Sequence, residues 1–205
     1  MLHLGMATLI VLALICLVSS AANAGAGKTL DNLMAAYNGE SNANAKYLAY
    51  AKKADEEGYG AVASLFRAAS KAEEVHASRH AEVITALGGT PAAQINLPEI
   101  GTTKENLADA LKGESYERDT MYPEFLAAAR AEGQVDAIRA FNFAKTAEAE
   151  HAKFYQSSLD NLESLKGSPK TNYYVCTVCG NTVTVIDFDK CPSCFEPKDR
   201  YVEVS

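Results

Sequence analysis

"TAEAEHAKFY", residues 146–155, decides how this chain is read. It continues a helical stripe, Ile138, Phe141, Ala144, Glu148, His151, Tyr155 and Leu162, that should face a core. Two members of that stripe ionise. A carboxylate buried without a partner costs several kcal/mol or takes up a proton, so the stretch needs either a way out to solvent or something positive beside it.

The same anomaly recurs upstream. Stepping by threes and fours gives Leu30, Leu33, Tyr37, Glu40, Asn44, Tyr47, Ala51 and Ala54 in a first helical segment. A second gives Val62, Phe66, Ala69, Glu73, His76, His80, Val83 and Leu87. A third gives Leu107, Ala110, Glu114, Glu117, Met121, Phe125 and Ala128. One inward glutamate would be read as a side chain that snorkels to water. Agreement across all segments is a different matter, because no matching set of inward Lys or Arg exists to neutralise them. Glu74 and Glu150 fall about 100° off their stripes and should be solvated.

Punctuation sets the architecture. Gly58/Gly60, the run from Gly88-Gly89 to Gly101 with Pro91 and Pro98, and Gly133 separate the segments between Thr29 and about Lys166. The middle connection is the longest, which predicts two helical hairpins joined by a crossover. Pro123 has no N–H to return to Asp119, so a local kink is expected there.

Metal ions resolve the charge conflict. Glu73-x-x-His76 and Glu148-x-x-His151 each place a carboxylate and an imidazole one turn apart on one face. Glu40 and Glu114 complete the pattern of di-iron or di-manganese carboxylate bundles. Carboxylate-rich ligation with two imidazoles suits iron or manganese, not copper(I) or structural zinc. Glu117 is one carboxylate more than the pattern needs, either an exposed rim residue or a ligand that engages in one redox state. His80, a turn beyond His76, reads as a core or surface histidine.

After "KGSPKTN" the sequence becomes short, β-branched and aromatic, which marks a second small domain, 168–205 after 25–167. It holds Cys176-x-x-Cys179 and Cys191-x-x-Cys194, two knuckles separated by eleven residues. Two disulfides are the alternative in an oxidising compartment, but repeated Cys-x-x-Cys spacing favours one tetrahedral ion. Zinc and iron share that geometry. A redox-active pair in the bundle needs electrons, which a single iron held by four cysteines delivers one at a time.

The net charge of −7, without a Lys/Arg cluster, speaks against a nucleic-acid or anionic-membrane surface. Residues 1–24 form an uncharged apolar run ending Ala22-Asn23-Ala24, read as a secretory leader cut before Gly25. Export to the periplasm follows from that reading. An uncleaved membrane anchor and a misassigned start, with a cytoplasmic protein, are the alternatives.

Taken together, "YNGESNANAKY", "AEEVH", "GESYERDTMYPEF", "AEAEH", "CTVCG" and "CPSCFEPK" resemble the rubrerythrin family from Leu30 to Val204. The resemblance implies an all-α ferritin-like four-helix bundle with a small C-terminal rubredoxin-like β domain. It implies two irons held by Glu40, Glu73, Glu114, Glu117, Glu148, His76 and His151, with Glu73 and Glu148 bridging. One iron moves between Glu117 and His76, the residues on which catalysis turns, and Tyr47 and Tyr122 hydrogen-bond the ligands. Cys176, Cys179, Cys191 and Cys194 hold a third iron, or zinc. The implied activity is reduction of hydrogen peroxide to water, fed by an unidentified electron-donor protein. The tail docks on a partner subunit's bundle, so that a homodimer or larger oligomer is the working unit. The alternative function is a ferroxidase or iron store with structural zinc in the four-cysteine site. Two departures stand out: a leader is unusual in this family, and Asn181 stands where an aromatic is common.

Overall fold

The structure, a computed structural model, describes residues 27–205; the leader reading of residues 1–24 lies outside them. α1 (Gly27–Glu56) and α2 (Gly60–Ala86) form the first hairpin, turning at Gly58 with φ 76°. The crossover from Gly89 to Thr102 has no regular structure, and asparagine side chains tie it to α1. Asn38 Oδ1 accepts from Gln94 N at 2.9 Å, and Asn42 Oδ1 accepts from Asn96 N at 2.7 Å. Thr102 then caps α3 (Thr103–Tyr116) in a reciprocal capping box with Glu105. The second hairpin continues through a π-helical turn (Glu117–Met121), α4 (Tyr122–Ala131), α5 (Val135–Asp160) and the short α6 (Leu162–Leu165). Among the described residues no helix is long and apolar enough to cross a membrane.

The π turn corrects one expectation. The stripe predicted beyond Glu117 was Met121, Phe125 and Ala128, but the buried residues are Tyr122, Leu126 and Ala129. The reason is the wider turn, in which Tyr122 N–H bonds to Glu117 O, five residues back. One extra residue is accommodated and the inward face moves along by one. Pro123, at the start of α4, supplies no N–H in any case, so the irregularity sits where proline costs least.

The ionisable residues form a layer between two apolar clusters. On one side pack Tyr47, Tyr50, Phe66, Leu107 and Tyr155. On the other pack Leu33, Ile84, Tyr122, Leu126 and Phe141. Alanines at 36, 51, 54, 68, 69, 72, 110 and 144, all buried, let the helices approach closely.

The tail folds into an antiparallel sheet of order β2-β1-β3, from β1 (Tyr173–Cys176), β2 (Thr182–Val183) and β3 (Tyr201–Val204). Its strand β1 is sewn to the bundle. Tyr173 and Val175 belong to the same apolar cluster as Phe66 and Tyr155. The linker crosses the α1–α2 turn so tightly that a Cβ on Gly60 would lie 2.5 Å from Ser168 O. Within the chain the tail rests on α2 and α5.

Candidate metal centre

Helical period alone brings Glu40, Glu73, His76, Glu114, Glu148 and His151 to one depth, and all six are buried to 1% exposure or less. They resolve into two overlapping groups that could each hold a metal ion: Glu40, Glu73, His76 and Glu148, and Glu73, Glu114, Glu148 and His151. Glu73 and Glu148 are common to both. Each divides its oxygens between them. Glu73 Oε2 lies 2.9 Å from His76 Nδ1 while Oε1 lies 3.5 Å from His151 Nδ1. Glu148 Oε1 lies 3.1 Å from His76 Nδ1 and Oε2 3.0 Å from His151 Nδ1. That is how a carboxylate is placed to bridge two ions.

Glu117 belongs to neither group. It sits on the π turn, partly exposed, with its carboxyl deep enough that burial and the neighbouring Glu114 and Glu148 raise its pKa well above the ordinary value. Glu74 and Glu150 point outward, to Lys71 at 2.8 Å and Lys153 at 2.7 Å.

The outer partners are tyrosines. Tyr47 Oη donates to Glu114 Oε1 at 2.6 Å, and Tyr122 Oη donates to Glu40 Oε1. Both phenols keep their protons, because burial raises them well above 10. His80 lies 3.2 Å from Tyr122 Oη through Nε2. It stands outside both groups, a buried core histidine whose burial lowers its pKa to about 3 and keeps it neutral.

Without a metal this layer is electrostatically unsatisfied. Burial and like charge raise Glu40 and Glu114 well above the ordinary carboxylate value. Burial opposes protonation of His76, yet Glu148 and Glu73 outweigh it and raise the imidazole to about 10. Glu40 Oε2, Glu73 Oε1, Glu114 Oε2, both Glu148 oxygens and His151 Nδ1 are buried with no hydrogen-bond partner. Buried polar atoms are rarely left so; metal ions at the two groups would satisfy all of them, and the oxygen-rich, two-imidazole donor set fits iron.

The second cluster is the four cysteines, with all four sulfurs within 4.8 Å of one another and none in a disulfide. Hydrogen bonding from Cys179 and from the Val178 and Cys179 N–H groups lowers Cys176 to about 5, despite burial. The knuckles are matched in backbone: Gly180 after the first has φ 75° and Phe195 after the second has φ 63°. Phe195, 73% exposed, shows that a side chain is tolerated in this conformation. Gly180 is required for another reason: a Cβ there would lie 2.1 Å from His76 Nε2.

The two clusters therefore touch. His76 Nε2 is 3.2 Å from the Cys179 carbonyl, His151 Nε2 is 3.1 Å from Thr182 Oγ1, and Arg79 Nε donates to Val178 O at 2.9 Å. Thr182 and Arg79 carry no signal in the sequence, since contacts across 31 and 99 residues have no period to reveal them.

The family profile described as Rubrerythrin matches residues 31–159. The chain is 38% identical over 176 residues to nigerythrin of Nitratidesulfovibrio vulgaris, covering 85% of this chain and 86% of that protein. It is 33% identical over 180 residues to rubrerythrin-2 of Clostridium acetobutylicum, covering 84% and 95%. Among solved structures, fully reduced, all-ferrous nigerythrin superposes with a TM-score of 0.78 at 36% identity, over 86% of this chain and 87% of that one. The bundle is thus ferritin-like with a di-iron carboxylate and histidine site, and the tail carries a rubredoxin-like four-cysteine site. Profile, relatives and paired metal clusters converge: the chain belongs to the rubrerythrin family.

Proposed function

We propose that this chain reduces hydrogen peroxide to water at the di-iron centre, with electrons drawn from the cysteine-bound iron, as a defence against oxidative stress. In this reading Glu40, Glu73, His76, Glu114, Glu148 and His151 would hold the iron pair, with Glu73 and Glu148 shared between the two positions. Glu117 would be the carboxylate that exchanges with His76, and Cys176, Cys179, Cys191 and Cys194 would hold the third iron. When bound, the iron pair supplies the two electrons that convert one peroxide and two protons to two waters.

The chain's own groups prepare that chemistry. Tyr47 and Tyr122 each spend their one hydroxyl proton on a terminal carboxylate, which fixes how Glu114 and Glu40 turn. The apolar layers on either side exclude bulk water and strengthen every electrostatic interaction between them. Glu117, partly exposed on the wider π turn, marks the side on which a small solute reaches the layer.

The observation that carries the proposal is the 3.2 Å contact between His76 Nε2 and Cys179 O. One residue is both a thiolate of the cysteine cluster and the hydrogen-bond partner of an imidazole in the other cluster. An iron store has no use for such a link; an electron relay does. The link closes within one chain, and a homodimer is proposed on the family resemblance alone. Export is likewise proposed, from residues 1–24, and the mass of the purified protein tests it: a leader cut after Ala24 leaves Gly25 first.

The decisive experiment reduces the protein without oxygen, assays iron and zinc, and mixes it with peroxide or with air. Oxidation by peroxide much faster than by air supports the proposal. Rapid air oxidation with accumulation of iron would sink it in favour of a ferroxidase.

A further inference from the structure

Both imidazoles of the bundle cluster end on the tail. The Cys179 carbonyl can only accept, so its contact with His76 at 3.2 Å keeps a proton of that ring on Nε2. Thr182 has one hydroxyl proton, and Oγ1 donates it to the Gly180 carbonyl at 3.0 Å. Towards His151 Nε2, 3.1 Å away, the hydroxyl can then only accept. Both rings therefore keep a proton on Nε2, on the tail side, and leave Nδ1, which faces the carboxylates, as the nitrogen that gives up its proton to a metal ion. Among the described residues no group of the bundle accepts from either Nε2.

These partners lie three residues apart on a turn that the first knuckle shapes. Gly180 N donates to Cys176 O at 2.9 Å and Cys176 N donates to Asn181 O at 2.9 Å. Turns built on paired thiolates take their form from the ion the thiolates hold. The approach is close because position 180 has no side chain.

We propose that the folded four-cysteine domain completes the metal site of the bundle: filling the cysteine cluster sets the Cys179 carbonyl and the Thr182 hydroxyl on the two imidazoles and thereby raises the bundle's affinity for its divalent pair. Loading is then ordered, tail first and bundle second, and any tetrahedral ion in the tail, zinc included, suffices. The proposal rests on the ligand reading above.

The test uses the full chain, stripped of metal, with zinc in the four-cysteine site and cobalt(II) titrated into the bundle against a competing chelator. Removing an outer hydrogen-bond partner of a metal-bound histidine typically costs about 10- to 100-fold in affinity. Thr182→Val should weaken one of the two cobalt sites by about 10-fold or more, and Thr182→Ser should restore it. Cys191→Ser/Cys194→Ser, unable to hold zinc, should weaken both. With zinc in both clusters, nitrogen-15 shifts of His151 should show Nε2 protonated and Nδ1 metal-bound, and should lose that preference in Thr182→Val. Glu148→Gln separates the coupling from the ligand reading beneath it: if this variant binds cobalt like the parent, the ligand reading fails. If it loses cobalt while Thr182→Val and the cysteine variant bind as tightly as the parent, the coupling alone is overturned. Equal losses in Thr182→Val and Thr182→Ser would also overturn it.

Discussion

Replacing Gly180 with alanine tests the junction between the two clusters at one atom. The new Cβ would stand 2.1 Å from His76 Nε2, where an ordinary contact begins at 3.4 Å, so knuckle and ring must part by about 1.3 Å. A separation of that size along the contact carries the 3.2 Å approach of His76 Nε2 to Cys179 O beyond hydrogen-bond range. The left-handed backbone at φ 75° adds roughly 1–2 kcal/mol for a residue with a Cβ, and overpacking adds roughly 1–3 kcal/mol. Together these amount to about 2–5 kcal/mol. At about 2–4 °C per kcal/mol for a chain of this size, the melting temperature should fall by on the order of 10 °C. Anaerobic stopped-flow on protein loaded with excess iron, following the cysteine-bound iron by its absorbance, should show slowed reduction of the pair. Phe195→Gly is the control: the same backbone conformation, 73% exposed with no imidazole against it, should cost nothing and relieve strain. A Gly180→Ala protein that melts and transfers electrons like its parent would refute the claim that this contact joins the clusters.

Further outcomes follow from the same geometry. Glu148→Gln should strip both metal positions, since each receives one Glu148 oxygen, whereas Glu150→Gln, paired outside with Lys153 at 2.7 Å, should leave iron content and peroxide turnover unchanged. In chelator, Glu40, Glu114 and His151 hold protons more tightly than the unfolded chain does, as does His76, raised from 6.5 to about 10. Glu73, lowered by His151 and His76 despite its burial, opposes them. On balance the folded state binds more protons. Stability of the metal-free protein should therefore fall as pH rises above the ordinary carboxylate value of 4.5, with the share of His76 lost through about pH 10. Thermal melts between about pH 5 and about pH 8 check the sign, and a rise over that window contradicts it. Metal uptake in weak buffer should release protons. Mixing a Cys191→Ser/Cys194→Ser chain with a Glu148→Gln chain should give no peroxide turnover, because the tail docks on its own bundle; restored turnover would place the contact across two copies.

The six ligand candidates were legible because a helix repeats itself: one phase error per segment would have scattered Glu40, Glu73, Glu114 and Glu148 to different depths, and they are level. The knuckles were legible by spacing. The phase of α4 was not. Pro123 announced a break, but a missing N–H does not say whether the helix bends, ends or takes in an extra residue, and the burial of Tyr122 in place of Met121 is what distinguishes them. Nor was the docking legible. Gly180 reads as an ordinary turn glycine until His76, over a hundred residues away, is found against it.

The π turn has a consequence for how the chain can vary. Substitution changes a side chain but leaves the residue count alone, so no single replacement between Glu117 and Met121 removes the extra residue from the helix. Only a deletion does. Because each residue advances a helix by about 100°, that deletion would swing Tyr122, Leu126 and Ala129 off the core and take the Tyr122 hydroxyl from Glu40. The irregular turn that presents Glu117 is thus locked to the regular helix that follows, and lineages that keep the fold must keep or lose the two together.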